Sequence, residues 1–145
     1  MKTLSLIEGL TVMPDSPAFA GLELDGLIHC LNCMSGRVLA FDSEEEISID
    51  SEYNVLCAVL EGSASLFLRS SGEQISVLGK NRVFAFDKSN NTIYSLRAFP
   101  GLVMLVFDSA RALVPCGNNC EYHLQLMQNL ATQMMGGAFI PSKQL

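Results

Sequence analysis

Residues 54–78 read NVLCAVLEGSASLFLRSSGEQISVL, and their texture decides the fold. Val55 to Leu60 is apolar at consecutive positions and rich in Val and Leu, as expected of a strand covered on both faces. Beyond the Glu61-Gly62-Ser63 turn, Ala64, Leu66 and Leu68 alternate with Ser65, Phe67 and Arg69, so that strand turns one face to a core. Ser70-Ser71-Gly72 reverses the chain, and Ile75 and Val77 alternate with Gln74 and Ser76 on the return, which predicts a β-hairpin.

The pattern extends from Arg37 to Asp108 as short apolar or alternating runs punctuated by turn residues, enough for about eight strands of an all-β sandwich or jelly roll. Leu102 to Phe107 is a second strand apolar on both faces, and with residues 54–60 it is expected in the middle of the sandwich. Upstream, Leu24, Leu27, Ile28 and Leu31 stand at i, i+3, i+4 and i+7, which predicts a helix over about Glu23 to Cys33, ended near Gly36. Downstream, Ser109 to Leu113 reads as a helical turn stopped before Pro115, and a long helix is expected from Glu121 to about Met135, ended by Gly136-Gly137. The expected organisation is one domain in three stretches: a helical segment 1–35, a jelly roll 36–108, and a short helix, long helix and tail over 109–145.

Composition narrows function. The chain has 145 residues, a net charge of −6, 49% hydrophobic and 17% charged residues, which excludes a disordered tail and a collagen-like fibre. A chain of this size hides roughly two thirds of its unfolded surface, enough for a real core. The apolar runs fall far below the ~20 residues that span a bilayer, and the first eight residues do not read as a secretory signal, so no membrane partner and a cytoplasmic location are expected. Nine basic against fifteen acidic residues leave no basic stripe, so direct nucleic-acid binding is not expected. Five cysteines in a reducing compartment read as core residues, thiols or metal ligands rather than as bridges.

The long helix is compositionally odd: from Tyr122 to Ser142 there is no Asp, Glu, Lys or Arg. Leu124, Met127, Leu130, Ala131 and Met134 form an apolar stripe, extended sideways by Leu126 and Met135. Such a helix has two destinations, its own β-sandwich or its copy in a second chain. Pairing into a homodimer is the expectation, because a charge-free helix at the end of a small domain carries too much apolar surface for one side.

The chemistry of sites is sparse. A metal-dependent cupin needs two or three clustered histidines and a carboxylate, and this chain has only His29 and His123, both on expected helices. No Gly-x-Ser-x-Gly, P-loop or Gly-x-Gly-x-x-Gly pattern occurs, so an enzyme is not expected and no cofactor is implied. Cys116, Cys120 and His123 put two thiols and an imidazole near a helix start, a candidate metal or redox site, against the alternative of packing residues. Cys57 is expected in the core, and Glu44-Glu45-Glu46 as a solvated turn.

In order of elements, the chain resembles the effector-sensing, cyclic-nucleotide-binding-like domain of the Crp/Fnr transcription regulators. Phe19-Ala20-Gly21-Leu22 with Leu27-Ile28-His29-Cys30-Leu31 is similar to that family's opening, and Leu60-Glu61-Gly62-Ser63-Ala64 with Leu66 is similar to its strand-turn-strand signature. Cys116, Cys120, His123, Leu124 and Asn129-Leu130 resemble the start of its dimerisation helix. The resemblance implies a mainly β jelly roll with flanking helices that senses a small effector by changing how two long helices pack. Two departures qualify it. Relatives that hold a cyclic nucleotide use a Phe-Gly-Glu segment and a later Arg-Ser or Arg-Thr around the phosphate. Residues 79–93 contain neither pair, and Asp87 to Thr92 is long enough only for a turn. The cassette is read as deleted, so the effector is expected to be something other than cyclic AMP, with Arg82, Phe84, Tyr94, Leu96 and Arg97 as candidate ligand-binding residues. The family's helix-turn-helix has no counterpart in residues 136–145. The competing expectation is a non-sensing dimerisation module that associates with full-length regulators through protein contacts.

Overall fold

The computed structural model describes residues 1–48, 54–86, 88–114 and 120–135. Two antiparallel sheets face each other. Strands β1 (Lys2–Leu4), β2 (Arg37–Ala40), β4 (Val55–Glu61), β7 (Val83–Phe86) and β9 (Val103–Asp108) form the first, in the order β1-β2-β9-β4-β7. The second, in the order β3-β8-β5-β6, contains β3 (Glu45–Glu46), β5 (Ala64–Leu68), β6 (Gln74–Leu78) and β8 (Tyr94–Ala98). The described residues within 37–108 thus hold eight strands, β2 to β9.

The period of two sorts the five-stranded sheet's side chains into two cores. Val55, Cys57 and Val59 of β4 and Met104 and Val106 of β9 point into the roll, where they meet Ala64, Leu66, Leu78, Tyr94, Leu96 and Ala98 of the facing sheet. Leu56 and Ala58, with Leu105 and Phe107, point the other way, onto a helical layer that includes Phe19, Leu27, Leu31, Leu126 and Leu130. β4 and β9 are hydrogen-bonded neighbours, Cys57 opposite Val106, at the centre of the sheet. That is why both lack polar alternation. Each large side chain so buried contributes about 1.5–3 kcal/mol.

The hairpin forms between β5 and β6, with a register shift at Leu66/Phe67 and Gly72 at φ 72° in the turn, a conformation that favours glycine. Helix α2 (Leu24–Asn32) lies one residue inside the expected bounds at each end, with Glu23 and Cys33 as its caps. It stops where Ser35 turns left-handed at φ 55° and the Gly36 N–H returns to the Leu31 carbonyl at 2.8 Å. α4 (Ser109–Ala112) is capped by Asp108, whose Oδ1 accepts from the Ala110 N–H at 2.9 Å. α5 (Glu121–Met135) occupies the expected span.

Three stretches differ from expectation. The first stretch is not purely helical: β1 adds to the edge of β2, and α1 (Leu6–Gly9) follows under a reciprocal Ser5–Glu8 cap. The polar segment between β7 and β8, expected as a turn, is a six-residue helix, α3 (Lys88–Ile93), whose last residue packs against the roll core. The acidic run is not a free turn: Glu45 and Glu46 are β3, paired with Ala98 and Arg97 of β8.

Candidate functional site

The roll interior is the first place a ligand would go. β7 and β8 turn Phe84, Tyr94 and Leu96 inward, and there they come together. Phe84 and Leu96 retain none of their accessible surface and Tyr94 retains 1%. A side chain with no accessible area borders no void that admits water, so these three fill the roll. The two basic candidates do not join them. Arg97 lies on β8 one position past Leu96, so it faces outward, with its Nε 3.7 Å from Glu44 Oε1. Arg82 is exposed in the turn that leads into β7.

Sequence reasoning missed what holds α3. Arg69, at the end of β5, donates through Nε to the Asn91 carbonyl at 2.6 Å, and through a terminal nitrogen to Asn91 Oδ1 at 2.9 Å and Glu46 Oε1 at 2.6 Å. Ser95 Oγ donates to the same Glu46 oxygen at 3.0 Å. The hydrogen bonds from Arg69 and then Ser95 hold the Glu46 carboxyl below its usual range. Arg69 and Glu46, beside α3, are thus committed to protein partners. An arginine closing a strand ahead of a Ser-Ser-Gly turn was a visible signal, but its partners lie more than twenty residues away in each direction.

Helix α5 presents two faces. On the inner one, Leu126 and Leu130 are fully buried and His123 is 6% exposed. The His123 Nε2 stands 3.2 Å from the Ala112 carbonyl, which can only accept, so that nitrogen carries the proton. Asn129 latches the helix to the 3-10 turn Pro17–Phe19: its amide donates to the carbonyls of Ala18 at 3.0 Å and Ala20 at 2.7 Å. Nearer the start of the helix, the Tyr122 ring covers Gly26 of α2 and meets the His29 ring edge-on, centroids 6.3 Å apart.

At 100° per residue, Met127, Ala131 and Leu124 fall within a sector of about 60°, centred about 100° around the axis from the inner face. There Leu124 is 45% exposed, Ala131 is exposed and Met127 half-buried. Leu130 therefore leaves the expected pairing stripe, because it is spent on the domain's own core beside Phe19 and Leu126. Leu124, Met127 and Ala131 remain on the outer face. The Met134 side chain lies outside the described residues.

Of the cysteine-histidine candidates, Cys120 immediately precedes α5 and its carbonyl accepts the Leu124 N–H at 3.1 Å, while His123 is engaged with Ala112. Cys116 lies outside the described residues. Among the described residues, no three His, Cys, Asp or Glu side chains are placed to hold a metal ion. Cys30 is buried in α2, its thiol pushed up to about 12, first by desolvation and then by the nearby Cys120 and Cys33. Cys57 is fully enclosed in the roll, and burial pushes its thiol up as well.

No family model matches the sequence, and no curated protein matches it. Solved structures do. The chain is similar to the Catabolite Activator Protein of Thermus thermophilus at 18% identity and TM-score 0.53, covering 84% of this chain and 58% of that one. It is similar to the N-terminal domain of a transcriptional regulator from Streptomyces coelicolor A3(2) at 17% identity and TM-score 0.55, covering 85% and 91%. The sensor domain of the transcriptional regulator DNR from Pseudomonas aeruginosa matches at 15% identity and TM-score 0.53, covering 81% and 87%. This chain thus spans less than two thirds of the Thermus protein but most of the two isolated domains. Among the described residues, no helix is long and apolar enough to cross a membrane. The fold is that of the cyclic-nucleotide-binding-like sensor domains of Crp/Fnr-type transcription regulators.

Proposed function

We propose that this chain is a cytoplasmic regulatory domain of the Crp/Fnr type that works by pairing with a second copy through the outer face of α5, without taking a cyclic nucleotide into its roll. One observation carries the reading: Leu124 and Ala131 stay exposed, and Met127 only half-covered, on a helix that has no charged residue after Glu121. Two such stripes facing each other bury apolar surface at no cost in charge desolvation. Leu126, Leu130 and Asn129 fasten the neighbouring faces of the helix to the body, so a change in the body would reach the seam as a change in helix packing. Sedimentation equilibrium tests this. The wild-type chain is expected at twice the monomer mass and Leu124→Glu at the monomer mass; a monomeric wild type, or a variant that still pairs, refutes it.

The filled roll favours a second reading, a module that pairs with full-length relatives and senses nothing in its interior. Thermal unfolding with cyclic AMP or cyclic GMP separates the two from a nucleotide sensor, since a ligand at a hundred times its dissociation constant adds about 2.7 kcal/mol. Neither nucleotide is expected to shift the midpoint.

A further inference from the structure

A groove of about 280 Å³ opens where β1, α1, the loop that follows α1, and the ends of β4 and β9 meet. Its floor is apolar. Leu4, Met13, Leu60 and Val103 come from four separate segments, each half-buried because its lower side rests on the helical-layer core while its upper side lines the groove. Water over such a floor finds few hydrogen-bond partners, and a hydrocarbon body displaces it favourably.

The rim is acidic, with Glu8, Asp15 and Glu61 against one base, Lys80. Two of the carboxylates are already engaged. Glu8 accepts from the Ser5 N–H at 3.2 Å in the helix cap, and Glu61 Oε1 sits 3.1 Å from Lys80 Nζ. Asp15 is exposed and holds no hydrogen bond or ion pair among the described residues. The groove therefore pairs a hydrocarbon-sized floor with two negative charges that no rim cation offsets, Glu8 held in its helix cap and Asp15 free to take a partner, and an anionic ligand would meet net repulsion there.

We propose that this groove binds a small primary alkylammonium compound of about six carbons, its chain on the Leu4, Leu60 and Val103 floor and its ammonium on the Asp15 carboxylate. The volume suits a body of this size, since it lies just below the range for drug-sized sites. No lining residue belongs to α5, so the inference goes beyond the proposed self-pairing and does not depend on it.

Titration of the full chain with hexylammonium, butylammonium and hexanoate, followed by amide NMR shifts, is the test. Hexylammonium is expected to shift Leu60 and Val103 saturably and to bind about fifteenfold tighter than butylammonium, because each buried methylene is worth about fourfold. Hexanoate is expected not to saturate. Asp15→Asn should weaken hexylammonium about fivefold, the scale of a partly exposed ion pair, with an unchanged melting midpoint. Asp15→Lys should abolish hexylammonium binding and admit hexanoate. Equal affinities for the two amines, saturable hexanoate binding to the wild type, or an unchanged affinity in Asp15→Asn overturns the proposal. Binding retained by Leu124→Glu keeps this result separate from the fate of the pairing reading.

Discussion

Leu130→Ala and Leu124→Ala divide the two faces of α5 energetically. Leu130 has no accessible surface and sits in the helical-layer core, whereas Leu124 is 45% exposed. Truncating a fully buried leucine removes its transfer energy and leaves a cavity, together about 3–4 kcal/mol. Unfolding entropy of ~2.1 cal/mol/K per residue gives ~0.3 kcal/mol/K for a chain of this length, so the Leu130→Ala midpoint should fall by about 10 °C. Leu124→Ala should cost the monomer under about 0.5 kcal/mol. The chain has no tryptophan, so equilibrium urea unfolding is best followed by far-UV circular dichroism at several protein concentrations. The Leu130→Ala loss should persist at every concentration with an unchanged denaturant slope, and any Leu124→Ala loss should appear only as concentration rises. A Leu130→Ala loss under about 1 kcal/mol, or one confined to high concentration, would refute the assignment of the inner face.

Phe84→Ala should cost about 3–5 kcal/mol in the same urea assay, and a near-neutral result would mean that the roll holds an open pocket rather than a packed core. Alkylation of the native chain with iodoacetamide, mapped by mass spectrometry, should modify exposed Cys33 quickly and leave Cys30 and Cys57 unmodified until unfolding; Cys30 reacting as fast as Cys33 would contradict its burial. Glu46 has its pKa lowered from an ordinary 4.5 by Arg69 and then Ser95, so its contribution is present above pH 4.5 and lost as pH falls from there through the folded-state pKa. With the Glu46 side chain 42% exposed, Glu46→Gln should cost at most about 1 kcal/mol at pH 7, and the gap to wild type should close in acid; a gap that stays constant with pH rules out this linkage.

Much of the fold is written locally. β4 and β9 announce themselves because strands buried on both faces drop polar alternation, and α5 because its apolar positions recur at helical spacing between a start signal and a glycine pair. The direction α5 faces is not written there. Leu124, Leu126, Met127, Leu130 and Ala131 spread over about 160° of its circumference as one continuous apolar arc, so periodicity alone cannot single out Leu126 and Leu130 as inner. Only the partners Phe19 and Leu31, about a hundred residues upstream, decide it. β1 and α1 escaped for a different reason: three and four residues carry too little periodicity, and the Ser5-x-x-Glu8 cap was their one readable mark. The candidate ligand set divided for a simple geometric reason. Neighbours on a strand point to opposite faces, so Leu96 and Arg97 could not both line one pocket.

In the proposed pairing the outer face of α5 meets its copy in a second chain. Double electron–electron resonance on a nitroxide at Gln128→Cys, with Cys33, Cys116 and Cys120 replaced by serine, measures that approach directly, because Gln128 is exposed beside Leu124 and Ala131. Helix axes 8–10 Å apart predict a label separation below about 25 Å. No dipolar coupling, or a separation above about 40 Å, would place the seam elsewhere.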